Sequence, residues 1–94
     1  MYFVYVLVCR DGSLYTGMTN DLRRRMALHT AGRGAKYTRA HPPQALAGLW
    51  RCGGRTAAAR LEYAFKTLPR AKKIAIVTDS NVAALYAPTV ETSL

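Results

Sequence analysis

The sequence predicts a small α+β domain, one thin sheet with covering helices, and three observations carry that prediction. A chain of 94 residues and 10.4 kDa has room for a single core, and a domain of this size buries only roughly two thirds of the surface its unfolded chain exposes. An eight-residue aromatic and β-branched run, residues 2–9, is followed closely by a second strand-like stretch. Two later segments, 21–30 and 56–68, repeat their apolar residues at helical spacing. With 50% apolar and 20% charged residues, the composition is that of a folded chain rather than a disordered tail.

The run Tyr2-Phe3-Val4-Tyr5-Val6-Leu7-Val8-Cys9 is apolar without alternation, which predicts a strand covered on both faces and therefore central. Residues 14–19 are its hairpin partner, and the intervening turn leaves two registers open. A two-residue Asp11-Gly12 turn pairs Tyr5 with Met18 and puts Tyr5 and Tyr15 on opposite faces. A three-residue loop, Arg10-Asp11-Gly12 with Gly12 at the left-handed bulge position, pairs Tyr5 with Gly17 and puts both tyrosines on one face. Thr19-Asn20-Asp21 offers caps for a helix over 21–30, which Ala31-Gly32 ends. Leu22, Arg25, Met26 and His29 share one ~100° sector of that helix. Arg25 thus lies beside the sheet-facing stripe, whereas Arg23 and Arg24 point elsewhere.

Residues 32–43, a mixture of glycine, basic and proline residues, read as a loop. Residues 44–52 return to strand character through Leu46, Leu49 and Trp50, with a weak pattern, and Gly53-Gly54 breaks it. A second helix is expected over 56–68, with Ala58, Leu61, Ala64, Phe65 and Leu68 buried, Glu62 at the edge of that stripe, and Arg60 and Tyr63 outside it. Pro69 opens a further short helix to about Val77. The expected layout is one domain over 1–77 and a C-terminal extension over 78–94, in which 81–86 form at most one more turn.

Fourteen Lys and Arg against five Asp and Glu give a formal net charge of +9 and a pI near 10.2. Such an excess favours a polyanionic partner, nucleic acid before an anionic membrane. Charge that merely keeps a protein soluble would account for the sign, but ten of the fourteen are arginines, whose planar fork suits phosphate. Cys9 and Cys52 stand 43 positions apart with no zinc spacing, so buried free thiols are expected. No basic segment precedes the apolar run 2–9, and no stretch approaches the ~18 apolar residues of a membrane span, so the expected location is cytoplasmic.

No phosphate-binding GxxxxGKS loop, GxSxG elbow or HExxH motif is present. Between Asp21 and Asp79 the single acid is Glu62. On its own it is explained by an i,i+4 pair with Lys66, although one carboxylate also suffices to hold a hard divalent cation whose other ligands are water and phosphate. Tyr5 and Tyr15 are equally explained as core aromatics, and Arg25 and His29 as surface residues. Their joint spacing is more specific. Phe3-Val4-Tyr5, ten residues to Tyr15-Thr16-Gly17, then Arg25, His29 one turn later and Glu62 on a later helix resemble the GIY-YIG nuclease family. The stretches Tyr15-Thr16-Gly17-Met18-Thr19-Asn20-Asp21-Leu22-Arg23-Arg24-Arg25 and Lys66-Thr67-Leu68-Pro69-Arg70-Ala71-Lys72-Lys73 are similar to its small bacterial single-domain branch, related to the N-terminal nuclease domain of the bacterial excinuclease.

The resemblance covers residues 2 to about 77 and implies a three-stranded antiparallel sheet flanked by helices, cutting DNA phosphodiesters with one divalent metal, Mg²⁺ or Mn²⁺. By the same correspondence Tyr5 and Tyr15 match the two motif tyrosines and Gly17 the motif glycine. Arg25 matches the arginine that holds the scissile phosphate, His29 the helix histidine and Glu62 the metal-binding acid. Two departures stand out: Phe3 replaces the initial glycine of the first motif, and Thr16 the usual isoleucine of the second. A polar residue that often follows the acid in longer members has no good counterpart, Asn81 being a poor one.

Phosphodiester hydrolysis needs a nucleophilic water, an acceptor for its proton, and positive charge on the nonbridging and leaving oxygens. Arg25 offers a bidentate clamp on the phosphate, and Gly17 across from Tyr5 leaves space at the sheet, a geometry that favours the three-residue loop. Tyr5 is expected nearest the attacking water, tuned by Tyr15 and His29. Further phosphate contacts are expected from Arg23, Arg33, Lys36, Arg39, Lys66, Arg70, Lys72 and Lys73. The expected activity is a metal-dependent DNA endonuclease with little sequence preference, in DNA repair or processing. Its target is read by shape or supplied by a protein partner, and DNA is favoured over RNA. The alternative is a nucleic-acid-binding module of the same fold without cleavage.

Overall fold

The computed structural model describes residues 1–79. Three strands, β1 (Tyr2–Cys9), β2 (Leu14–Thr19) and β3 (Pro43–Cys52), form one antiparallel sheet in the order β2-β1-β3. Four helices accompany it: α1 (Leu22–Thr30), α2 (Lys36–Ala40), α3 (Arg55–Lys66) and α4 (Arg70–Asp79). The turn expected over 81–86, with Asn81, lies outside the described residues.

The uninterrupted apolar run is the central strand, as burial on two faces requires. Tyr5 and Leu7 point into a core with Met26 of α1 and Leu46 and Leu49 of β3, and Phe3, Tyr15 and Leu22 pack around it. Val4 and Val6 alternate to the other face and are fully buried there. On that face Trp50, paired with Val4, meets Phe65 of α3 with ring centroids 5.6 Å apart.

The hairpin takes the three-residue loop. Gly12 stands at φ 85°, its N–H donates to the Cys9 carbonyl at 2.9 Å, and Cys9 N–H donates to the Ser13 carbonyl at 2.8 Å. That closure pairs Tyr5 with Gly17 and Leu7 with Tyr15. Asp11 stiffens the loop by accepting from the Ser13 N–H at 3.0 Å and the Ser13 hydroxyl at 2.6 Å. Its other oxygen meets His41 Nδ1 at 2.5 Å, tying the hairpin to the chain after α2.

Asp21 caps α1 by accepting from the Arg24 N–H at 3.1 Å. At the other end the Gly32 N–H donates to His29 and the Arg33 N–H to Leu28, with Gly32 at φ 73°, the Schellman arrangement in which glycine avoids a Cβ penalty.

Three sequence expectations are corrected. Residues 32–43 are not all loop, since α2 forms within them without a capping side chain, held by tertiary contacts of Tyr37 and Thr38. Helix α3 covers 55–66, and Ala64 is exposed rather than buried, because the sheet-facing stripe narrows to Ala58 and Phe65 with Leu61 at its margin. Cys9 is a buried free thiol, but Cys52, on the last residue of the edge strand β3, is only half-buried.

Candidate active site

The site grows from the β1–β2 register. Opposite Tyr5, Gly17 presents no side chain, and a Cβ there would stand 2.5 Å from the Tyr5 hydroxyl oxygen and 3.1 Å from Tyr15 Cε2. The missing side chain is what lets the two phenols lie over β2. Their ring centroids are 6.3 Å apart, and His29 of α1 closes the group at 5.6 Å from Tyr5 and 5.5 Å from Tyr15.

Helical spacing brings Arg25 and His29 from one turn of α1 to the same hydroxyl. The Tyr5 Oη lies 2.7 Å from His29 Nε2, and Arg25 Nε donates to it at 3.4 Å. The other ring nitrogen, His29 Nδ1, lies 2.8 Å from Thr38 Oγ1, whose hydroxyl donates to the Ala35 carbonyl at 3.0 Å. A Cβ at Gly34 would overlap the His29 ring, so the chain crosses the histidine at the one residue that has none.

Burial differs sharply within this group. Tyr5 is 0% and His29 2% exposed, whereas Tyr15, Arg25 and Glu62 are half-buried. Desolvation pushes the Tyr5 phenol up to about 12, opposed by the hydrogen bond from Arg25. Desolvation also raises Tyr15, with Arg25 again pulling the other way. Burial, helped by the Arg25 charge, lowers His29 to about 4, so its ring is neutral. Tyr5 is thus fully enclosed. Tyr15 is the one solvent reaches, because Arg25 and His29 cap Tyr5.

Glu62 projects from α3, which packs on β1 and β2, and its negative charge is felt at both tyrosines. Its Oε2 stands 3.7 Å from Lys66 Nζ, an i,i+4 ion pair too long for a good hydrogen bond. The carboxylate is therefore both paired and within electrostatic reach of the phenols.

The other expected contacts scatter. Arg23, Arg33, Lys36, Arg39 and Lys72 are exposed. Arg39 and Arg10 border a surface cavity of about 480 Å³ that reaches Thr38 and His29 from the side of Pro42 and Pro43. Lys66 serves Glu62, Arg70 Nη2 donates to the Gly12 carbonyl at 2.7 Å, and Lys73 Nζ lies 6.0 Å over the Phe65 ring. Those three have partners within the fold.

Sequence reasoning missed Gly34, Thr38 and the stack Tyr15–Tyr37–His41, with centroids 5.9 and 4.2 Å apart. All but Tyr15 lie in the segment read as loop. The available signal was a lone Thr four residues beyond a glycine, which has no periodicity to betray it. Among the described residues no helix is long and apolar enough to cross a membrane.

Comparison with known proteins agrees with this geometry. The family described as the GIY-YIG catalytic domain matches residues 1–75. A UPF0213 protein of Xanthomonas axonopodis is 49% identical over 79% of this chain and 72% of its own length. A UPF0213 protein of Natronomonas pharaonis is 47% identical over 85% of this chain and 94% of its own. The solution NMR structure of a UPF0213 protein from Bacillus halodurans superposes with a TM-score of 0.53 at 40% identity, covering 100% of this chain and 97% of that one. A Tyr–Tyr–Arg–His cluster on a three-stranded sheet, the domain match and these relatives together lead to one conclusion: the chain belongs to the GIY-YIG nuclease family, among its small UPF0213 members.

Proposed function

We propose that this protein is a metal-dependent DNA endonuclease with little sequence preference, acting in cytoplasmic DNA repair or processing. The observation that carries this reading is the placement of Arg25. Its Nε donates to the Tyr5 hydroxyl at 3.4 Å and its charge also acts on half-buried Tyr15, which sets one guanidinium against both the enclosed and the accessible phenol. Pure electrostatic binding needs no such anchor on a buried phenol.

Arg25 clamps a phosphate and stabilises the charge that builds on its nonbridging oxygens. Tyr15, the accessible phenol, orients the attacking water by hydrogen bonding. Its raised pKa makes it an orienting partner rather than a ready base. Tyr5 holds Arg25 from beneath. Glu62 fits a single hard divalent cation. It offers oxygen donors, it is 23% exposed, and its ammonium partner is loosely held at 3.7 Å. Among the described residues no three His, Cys, Asp or Glu cluster, so water and substrate phosphate would complete such a site. When bound, Mg²⁺ or Mn²⁺ would supply Lewis-acid stabilisation of the phosphate and leaving oxygens.

The second reading, a non-catalytic DNA- or RNA-binding module, draws on the Glu62–Lys66 pair and the two raised phenols. Incubation with single-stranded, duplex and branched DNA, with and without Mg²⁺ or Mn²⁺, separates the two. Cleavage should require the metal and fall ~10²-fold or more in Glu62→Ala and in Arg25→Ala. Arg23→Ala should weaken binding modestly and leave the chemistry intact. Folded Glu62→Ala and Arg25→Ala variants that cut as the parent does would leave only the binding module.

A further inference from the structure

We infer that Thr38 is a positioning residue for the site. By fixing which nitrogen of His29 carries the proton, it orients the Tyr5 hydroxyl and so anchors Arg25, two side chains removed from any contact of its own. The inference rests on the nuclease reading for its effect on cleavage, but the proton arrangement stands on hydrogen-bond geometry and the burial of the ring.

Counting protons fixes the arrangement. A threonine hydroxyl has one, and that of Thr38 goes to the Ala35 carbonyl at 3.0 Å. Facing His29 Nδ1 at 2.8 Å, Oγ1 can then only accept, so Nδ1 carries the ring proton. The ring is neutral, because a site 2% exposed beside the Arg25 guanidinium disfavours a second charge. Nε2 is therefore a bare acceptor, and the Tyr5 O–H, 2.7 Å away, must donate to it. With its proton committed to His29, the Tyr5 oxygen faces Arg25 with a lone pair and accepts from Nε at 3.4 Å.

Every bond in the series Arg25–Tyr5–His29–Thr38–Ala35 then runs in one direction and ends on a backbone carbonyl. The opposite tautomer breaks it. A proton on Nε2 would donate to Tyr5 and release the Tyr5 O–H, setting it toward Arg25, donor against donor. Every side-chain nitrogen and oxygen buried among the described residues has a partner, so the cost of that reversal falls on the contact between Tyr5 and Arg25. Gly34 makes the arrangement possible, because a side chain there would occupy the His29 ring's position. The segment 33–38 thus acts on the site from behind, through an imidazole rather than through substrate.

The test uses the whole chain labelled with ¹⁵N. Long-range proton–nitrogen spectra should show His29 protonated at Nδ1 and bare at Nε2, with a distinct, slowly exchanging Arg25 Nε–H. Thr38→Val, which keeps the shape and removes the hydroxyl, should shift the ring toward the Nε2-protonated form and broaden or move the Arg25 signal. Thr38→Ser should restore both. Where the parent cuts DNA, Thr38→Val should lose at least tenfold in kcat/KM and Thr38→Ser less than threefold. A parent ring protonated at Nε2 overturns the inference, as does a folded Thr38→Val with the parent's His29 and Arg25 signals. Because the parent spectrum needs neither a variant nor activity, a chain that cuts no DNA defeats the nuclease reading and leaves this test decisive.

Discussion

Replacing Gly17 by alanine probes the site at its tightest point. The new methyl carbon would begin 2.5 Å from the Tyr5 oxygen and 2.7 Å from its Cζ, so ordinary contact at 3.4 Å requires a retreat of about 0.9 Å. Tyr5 cannot supply that retreat cheaply, being 0% exposed and hydrogen-bonded to His29 at 2.7 Å on the side away from solvent. Overpacking of this kind costs ~1–3 kcal/mol, and a weakened buried hydrogen bond adds ~1 kcal/mol. For a domain of this length, ~2–4 kcal/mol corresponds to a fall in melting temperature of roughly 10–25 °C. A displacement near 1 Å beneath Arg25 should also lower cleavage on the order of 10²-fold at temperatures where the variant is folded. Thermal melting by circular dichroism and a DNA-cleavage assay read the two effects. Gly53→Ala is the control, since a Cβ there meets nothing within 4 Å and its backbone does not require glycine. A Gly17→Ala protein that melts and cuts like the parent would refute the close approach of the phenols to β2.

Other consequences follow from charge and burial. His29, held near 4 in the fold against about 6.5 free, favours the native state above pH 6.5, and that stability is lost as pH falls through 4. The loss is at most ~3 kcal/mol, and melting temperatures across this window should show it in the parent and much less in His29→Gln. Tyr5, raised to about 12 from 10, stabilises the fold below pH 10, a contribution lost as pH climbs toward 12. Alkaline titration of phenolate absorbance should show a late-ionising tyrosine that is missing in Tyr5→Phe. DNA affinity should fall steeply with added salt through counterion release by Arg33, Lys36, Arg39 and Lys72, and a Kd that barely moves between low and moderate salt would exclude that account.

The hairpin and the helices α1 and α3 were legible because their determinants are local. A two-faced apolar run announces a central strand, Asp21 and Gly32 mark the ends of α1, and 100° spacing places Arg25 and His29 together before any fold is known. The sequence alone also nominated the residues that meet in this cluster, and of two possible turns between β1 and β2 it favoured the three-residue loop, which Gly12 adopts at φ 85°. What stayed hidden depends on partners distant in the chain. The weak pattern of β3 has a physical cause in two register shifts against β1, between Val6 and Leu7 and between Val8 and Cys9. Leu46 and Leu49, three apart, would face opposite ways on a regular strand, yet the first shift lets both join the core beside Leu7 and Tyr5. Likewise α2 carries no cap and no apolar stripe, and forms where Tyr37 stacks between Tyr15 and His41 while Thr38 meets His29. Periodicity reports which side of an element is buried. Only the packed structure decides which buried polar atoms meet, and here that decided that Tyr5 lies sealed beneath Arg25 while Tyr15 stays within reach of water.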